Sequence, residues 1–274
     1  MIGICTDSSA QLPAALAQRY GIEVVPLTVT IDDVDYLDGV DLTADGFYEK
    51  YAHGVCPVVS TSQPSPGQFA VAYEDLVARG CTEILSIHVT SSLSGTINAA
   101  RLAAHSVPMP VRLVDSGTAS FGVSCCVWAA AAAVADGATL DGAALIAEQL
   151  ASTIGNVFVA GALDSLHRGG RAGGMLGGEG VAVMSLRDGK LEVVQQAATA
   201  LDAVNAMASY TLTWGDRLRV AIGHSDAATA PCADALEEAL SEAAGIVDVV
   251  RYRIGPSIGA HTGPGTVGCF MFPG

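Results

Sequence analysis

The chain has 274 residues, half of them hydrophobic and 15% charged, with 13 Lys and Arg against 28 Asp and Glu. That length is long for one ordinary core and predicts two domains, and the apolar share predicts a well-buried protein. A formal net charge of −15 argues against nucleic acid, which needs clustered Lys and Arg, and against stable adhesion to anionic lipid surfaces.

In chain order, Ile2 to Asp7 reads as a strand, and Ser8 or Ser9 as the cap of a helix that runs to Tyr20 and stops at Gly21. The opening MIGICTDSS is therefore strand-like and not a signal peptide. Glu23 to Ile31 reads as one strand, and Thr43 as the cap of a helix reaching roughly to His53, with Gly54 after it. A helix from about Gly67 to Arg79 stops at Gly80, and Glu83 to Val89 reads as a fully apolar strand. SSLSGT then leads into a helix ending near His105, and Val111 to Asp115 is the next strand. Alternation of this kind predicts a mainly parallel sheet covered by helices on both faces. Ligands of such sheets sit at the carboxyl ends of the strands, where Thr61, Ser94 and Ser116 fall.

The stretch from Phe121 to Ala135 is apolar on all sides but too short to span a bilayer, so it reads as a buried core helix with another helix around Leu145. The second unit begins near Asn156 with a strand and a glycine-rich stretch from Arg168, read as a mobile loop or a packed connector. Two strands about an Asp188-Gly189 turn follow, then a helix from about Leu201 to Thr213 and a strand from Arg219. A helix from about Cys232 to Ala244, a strand from Ile246 and a final strand around Cys269 complete the chain. The expectation is an α/β protein of two domains, 1–160 with the mainly parallel sheet and 161–274 of α+β type. The seven cysteines show no CxxC spacing and Cys125 is adjacent to Cys126, so they read as small buried residues in a reducing compartment, with no metal. A cytoplasmic protein without stable membrane insertion is expected.

Three loops rich in hydroxyls and glycine carry the chemistry: TSQPSPGQF from Thr61, SSLSGT ending at Thr96, and GAHTGPGT with His261. A helix start leaves backbone N–H groups free, and a nearby Ser or Thr adds a hydroxyl donor, which suits a carboxylate or phosphate. Thr61 and Ser94 also stand where helix N-caps are wanted, so capping is a competing role for each. Ser62 and Ser92 are neighbours able to substitute for them; Thr61 and Ser94 are preferred. His261 lies between Gly259 and the Gly263-Pro264-Gly265 turn, where backbone approaches a ligand closely, and its ring can donate to a carboxylate or hold a hydroxyl that does. Asp7, at a strand end, caps the following helix or orients a hydroxyl; His88 and Ser116 stand behind the loops.

Two other patterns fail on context. Gly255-Pro256-Ser257-Ile258-Gly259 has the G-x-S-x-G form after a strand, but no Asp or Glu follows Ser257 and His261 is only four residues on. Gly263, Gly265 and Gly268 fit G-x-G-x-x-G, but only six residues follow, too few for a βαβ unit.

Six segments in this order, TDSSAQLP from Thr6, TSQPSPGQF from Thr61, SSLSGTINAA from Ser91, VDSGTASFG from Val114, SLHRGGR from Ser165 and IGAHTGPGT from Ile258, resemble the DegV family. That lipid-binding group includes the fatty-acid-binding subunits of bacterial fatty-acid kinases. The chain departs from the family where Ile97 replaces an aromatic after LSGT, and where GEGVAVMSLRDG from Gly178 replaces a region that often holds a Lys-Pro pair. The resemblance implies a lipid site between the two domains, with the carboxylate of a long-chain fatty acid such as palmitate, stearate or oleate held by Thr61, Ser94 and His261. It implies that Arg171 serves as a gate or partner contact, and that a separate kinase catalytic subunit phosphorylates the bound acid to an acyl phosphate. No cofactor is expected and no catalytic residue, since the phosphate-cradling and metal-binding parts of a kinase are absent. The competing readings are an acyl-ester hydrolase with Ser94 as nucleophile and His261 as base, and a small-anion sensor with a narrow cavity.

Overall fold

The computed structural model describes residues 1–161, 180–187 and 190–274. Within them the chain divides into two units, the first Met1–Thr30, Asp35–Asp41 and Thr61–Ser152, the second Ile31–Val34, Leu42–Ser60 and Thr153–Gly274.

Strand β1 (Ile2–Asp7) is followed by a 3-10 turn at Ser8–Ala10, not by the long helix its serines suggest. Gln11 turns left-handed at φ 57° and Pro13 precedes α1 (Ala14–Tyr20), which ends at Gly21 with φ 61° as expected. The run from Glu23 is two strands, β2 (Glu23–Val25) and β3 (Thr28–Ile31), because Pro26 lies between them and offers no N–H to a ladder. Asp32 and Asp33 both have positive φ, 47° and 65°, the conformation of a two-residue type I′ hairpin, and turn the chain into β4 (Val34–Leu37). Thr43 caps α2 (Ala44–Glu49), accepting from the Gly46 N–H at 3.1 Å; the helix stops short of His53 and a 3-10 turn, Ala52–Gly54, follows. After β5 (Val59–Ser62) comes α3 (Pro66–Ala78), capped by Ser65 in a reciprocal box with Gln68. Then come β6 (Glu83–His88), α4 (Thr96–Ala103), β7 (Val111–Asp115), α5 (Phe121–Ala135) and α6 (Leu140–Ala151).

Four strands of the first unit form a wholly parallel sheet in the order β2-β1-β6-β7. Side chains alternate along each strand. Cys5 and Ile84 face α3 and α4 and pack with Phe69, Tyr73, Leu76, Ala99 and Ala100, while α5 and α6 cover the other face. Most of α5 is buried, which explains a helix with no polar side. Burial pushes the Cys126 thiol up to about 12 and Cys125 well above its usual value, so this pair stays protonated at neutral pH. The three strands β3, β4 and β5 form a separate sheet in the order β4-β3-β5.

The second unit continues with β8 (Gly155–Val159), β9 (Val181–Arg187), β10 (Lys190–Ala197), α7 (Ala200–Leu212), β11 (Leu218–His224), α8 (Ala230–Ser241), β12 (Ile246–Arg253), α9 (Pro256–Thr262) and β13 (Val267–Pro273). Its sheet runs β10-β9-β8-β13-β11-β12, antiparallel at each pairing except the parallel β11–β12. Val157, Val183, Val204, Met207, Ile222, Leu236 and Met271 form the core beneath α7 and α8. A mixed sheet with helices packed on it is the α+β architecture expected. The glycine-rich stretch from Arg168, Arg171 within it, and the Asp188-Gly189 turn lie outside the described residues.

Candidate functional site

The order β2-β1-β6-β7 contains a reversal. The chain leaves β1 for β2 on one side and returns to β6 on the other, so the carboxyl ends of β1 and β6 flank a topological switch point, the place where open parallel sheets take ligands. Two loops meet there. The Ser116 N–H donates to the His88 carbonyl at 3.0 Å and the Thr90 N–H to the Thr118 carbonyl at 2.9 Å, tying the loop after β6 to the loop after β7. Asp115 reinforces the tie, accepting from the N–H groups of Ser91 at 3.1 Å and Gly117 at 3.0 Å.

Ser94 sits in this knot, one residue before Gly95. Its Oγ lies 2.8 Å from Thr96 Oγ1 and accepts from the Thr96 N–H at 3.3 Å. The capping role weighed for Ser94 is thus present in part. Thr61 differs from expectation: it lies within β5, outside the parallel sheet, and the cap of α3 is Ser65, so capping does not account for it. The two loops are nonetheless neighbours. The Gln63 amide lies against Gly95, where a Cβ would displace it.

His261 is half-buried on α9, in the second unit; the segment GAHTGPGT is helix up to Thr262 and a turn afterwards. Gly263 and Gly265 hold that turn with φ of 74° and 85°. The turn is pinned by Asp226, which accepts from the Gly265 N–H at 2.7 Å, and by Ser225, whose Oγ accepts from the Thr266 N–H at 2.9 Å. Ser257, on the same helix, is 2% exposed and lacks the left-handed φ of a strained nucleophile turn, so the G-x-S-x-G pattern has neither access nor geometry.

The site holds a feature that reading the sequence missed. Glu83 to Val89 is not a fully apolar strand: Ser86 and His88 occupy one face of β6, two residues apart and both 0% exposed. Cys5 pairs with Ser86 in the register, so Asp7 shares that face. His88 Nδ1 lies 2.9 Å from Asp7 Oδ2, His88 Nε2 lies 2.6 Å from Ser86 Oγ, and Ser86 Oγ lies 2.9 Å from the Tyr73 hydroxyl. The polar residues at alternate positions of a buried strand were the available signal. The connectivity is that of a Ser-His-Asp triad, but with Ser86, His88 and Asp7 all 0% exposed the serine cannot meet a substrate. Among the described residues no group of three His, Cys, Asp or Glu side chains is arranged to hold a metal, and no helix is long and apolar enough to cross a membrane.

Fold and site together define a two-unit α/β protein with hydroxyl-rich loops gathered at the switch point of a parallel sheet. Comparison with known proteins gives the family: the DegV model, described as "Uncharacterised protein, DegV family", matches residues 1–274, and the chain belongs to that family. A DegV domain-containing protein of Streptomyces coelicolor is 34% identical over 97% of this chain and 96% of its own, and one of Mycobacterium tuberculosis is 33% identical over 97% and 95%. Among solved structures, a DegV-family protein of Thermus thermophilus described for its fatty-acid binding superposes with a TM-score of 0.88 at 30% identity, covering 99% of each chain. A Thermotoga maritima protein whose structure is described as revealing a fatty-acid-binding function has the same TM-score, 0.88, at 25% identity and 99% coverage of both chains.

Proposed function

We propose that this chain binds a long-chain fatty acid such as palmitate, stearate or oleate, holds its carboxylate with Thr61, Ser94 and His261, and presents it to a separate ATP-dependent fatty-acid kinase for acyl-phosphate formation. The observation that carries the reading is the full-length likeness to the Thermus thermophilus protein described for fatty-acid binding, 30% identical with a TM-score of 0.88. Loops bearing Thr61 and Ser94 are neighbours through Gln63 and Gly95, which supports a shared head-group role.

The physical logic is a division of labour. Burying an acyl tail gains about 0.8 kcal/mol per CH₂, on the order of 10 kcal/mol for a long chain before association costs. A buried carboxylate is costly unless hydrogen-bonded, and hydroxyls, an imidazole and loop N–H groups each contribute roughly 1.5–3 kcal/mol as charge-assisted partners. In this reading the protein is a carrier in the cytoplasm rather than a catalyst, with no cofactor of its own, and Arg171 is a gate or a contact for the kinase. Lipid extraction and native mass spectrometry of the protein freshly purified from a bacterial host test the reading: a co-purified fatty acid is expected. Protein that carries no lipid and does not bind added palmitate or oleate would overturn it.

A further inference from the structure

We infer that Asp7 and His88 are positioning residues that fix the loop carrying Ser94 at the switch point, acting through a directed chain of buried hydrogen bonds. The inference deepens the fatty-acid reading of this site and rests on it for its binding readout alone.

The direction of the chain is set at its Asp7 end. Asp7 accepts four times: its Oδ1 takes the Ser9 N–H at 3.1 Å and the Ser9 hydroxyl, and its Oδ2 takes the Val89 N–H at 3.3 Å and His88 Nδ1 at 2.9 Å. With Asp7 as acceptor throughout, Nδ1 carries a proton, and in the neutral imidazole Nε2 then accepts from the Ser86 hydroxyl. Ser86 Oγ also lies 2.9 Å from the hydroxyl of Tyr73, which burial holds protonated far above the usual tyrosine range and whose proton is shared between Ser86 and the Ala100 carbonyl at 3.4 Å. The chain links α3, β6 and β1, and it ends on two loops at once. Ser9 belongs to the turn after β1, and Val89 is the first residue of the loop that leads to Ser94.

Fold stability alone gives no reason for these residue types. A buried imidazole–carboxylate pair is commonly no more stabilising than a well-packed apolar pair, because both partners are stripped of water. What the pair supplies is directionality: Asp7 holds the Val89 N–H, and the next carbonyl of β6, that of His88, receives the Ser116 N–H at 3.0 Å. Phe69 packs edge-on against the His88 ring, with centroids 5.0 Å apart, which fixes the ring plane.

Two variants separate positioning from packing. His88→Phe keeps an aromatic ring against Phe69 and loses both hydrogen bonds, whereas His88→Asn keeps a donor toward Asp7. The tests are the ¹⁵N shifts of His88 in the wild type, amide exchange of Ser9 and Val89 to Ser94 in ligand-free protein, and palmitate affinity. The expected results are a proton on Nδ1, exchange of those amides faster by about tenfold in His88→Phe, the effect of one buried hydrogen bond, and recovery in His88→Asn. Palmitate affinity should fall by a similar factor in His88→Phe and return toward wild type in His88→Asn. A proton on Nε2, or unchanged exchange in a folded His88→Phe protein, would overturn the inference, as would unchanged palmitate affinity in that variant. If His88→Phe does not fold, the wild-type shifts and His88→Asn decide. If the wild type itself binds no palmitate, the fatty-acid reading fails while the exchange and ¹⁵N results still judge the positioning role.

Discussion

Tyr48 offers the sharpest test of the packing around the helix that carries His261. It is 8% exposed, and its hydroxyl is one of two buried side-chain polar groups without a hydrogen-bond partner among the described residues. Burial first, and the nearby charge of Asp226 second, hold it protonated well above the usual tyrosine range, with Arg253 opposing. An unsatisfied buried hydroxyl costs about 1–3 kcal/mol, so Tyr48→Phe should stabilise the second unit, by about 1 kcal/mol after the loss of some packing. The reason Gly259 is a glycine follows from the same contact: a Cβ there would stand 2.5 Å from the Tyr48 oxygen and 2.8 Å from Phe47 Cε1. Gly259→Ala should therefore destabilise by about 1–3 kcal/mol through overpacking. Combining it with Tyr48→Phe eases the shortest of these contacts, although Tyr48 Cζ remains 3.1 Å from the added Cβ, so the pair should be non-additive by more than about 0.5 kcal/mol. The assay is urea unfolding followed by Trp214 fluorescence in a Trp128→Phe background, since these are the two tryptophans and Trp214 belongs to the second unit. A loss of about 1 kcal/mol or more in Tyr48→Phe would refute the argument, because it would mean the hydroxyl is bonded.

Thr61→Ala, Ser94→Ala and His261→Ala should each weaken fatty-acid binding by roughly 10–100-fold, one charge-assisted hydrogen bond apiece, measured by calorimetry with palmitate. Wild-type affinity and wild-type phosphorylation in all three would place the carboxylate elsewhere. On the proposed role of Arg171 as a gate or kinase contact, Arg171→Ala should leave the melting temperature nearly unchanged while lowering acyl-phosphate formation with the kinase. Lost stability with normal phosphorylation would assign Arg171 to structure instead.

The strands and helices with strong periodicity were legible from the residues alone. Ile2 to Asp7, Glu83 to His88 and Val111 to Asp115 are strands of the parallel sheet as expected, since short, mainly apolar runs bounded by turn residues mark such strands. Short elements were not. Hairpin β3–β4 depends on two aspartates taking positive φ, a choice that tertiary context makes. Likewise α9 has only seven residues, two of them glycine or proline, too few for a periodic signal. Thr61 stands near the carboxyl end of a strand, but of β5 and not of the parallel sheet; a hydroxyl-rich run before a helix looks the same whether its first residue caps the helix or belongs to a strand. Asp7 and His88 were noticed singly; that they touch depends on strand register, which brings residues 81 positions apart together and leaves no local trace.

A hydroxyl donates one hydrogen bond and accepts two, so its partners decide what remains for a ligand. Ser86 is spent: its hydroxyl is engaged by both His88 Nε2 and the Tyr73 hydroxyl, with no exposed surface. Ser94 has a different arrangement. It accepts from the Thr96 N–H at 3.3 Å, and Thr96 Oγ1, fully buried, lies 2.8 Å away, a contact across which either hydroxyl can donate. If Thr96 donates across that contact, both acceptor positions of Ser94 are filled and its proton stays available to a ligand, the arrangement the proposed carboxylate role requires. Thr96→Val replaces the buried hydroxyl by a methyl of similar shape and removes that arrangement without touching Ser94. The variant should lose about 1 kcal/mol of stability and bind palmitate several-fold more weakly, the Ser94 hydroxyl being then unconstrained. Unchanged affinity in Thr96→Val alongside a large loss in Ser94→Ala would show that Ser94 needs no such orientation. Unchanged affinity in both would return Ser94 to its capping role.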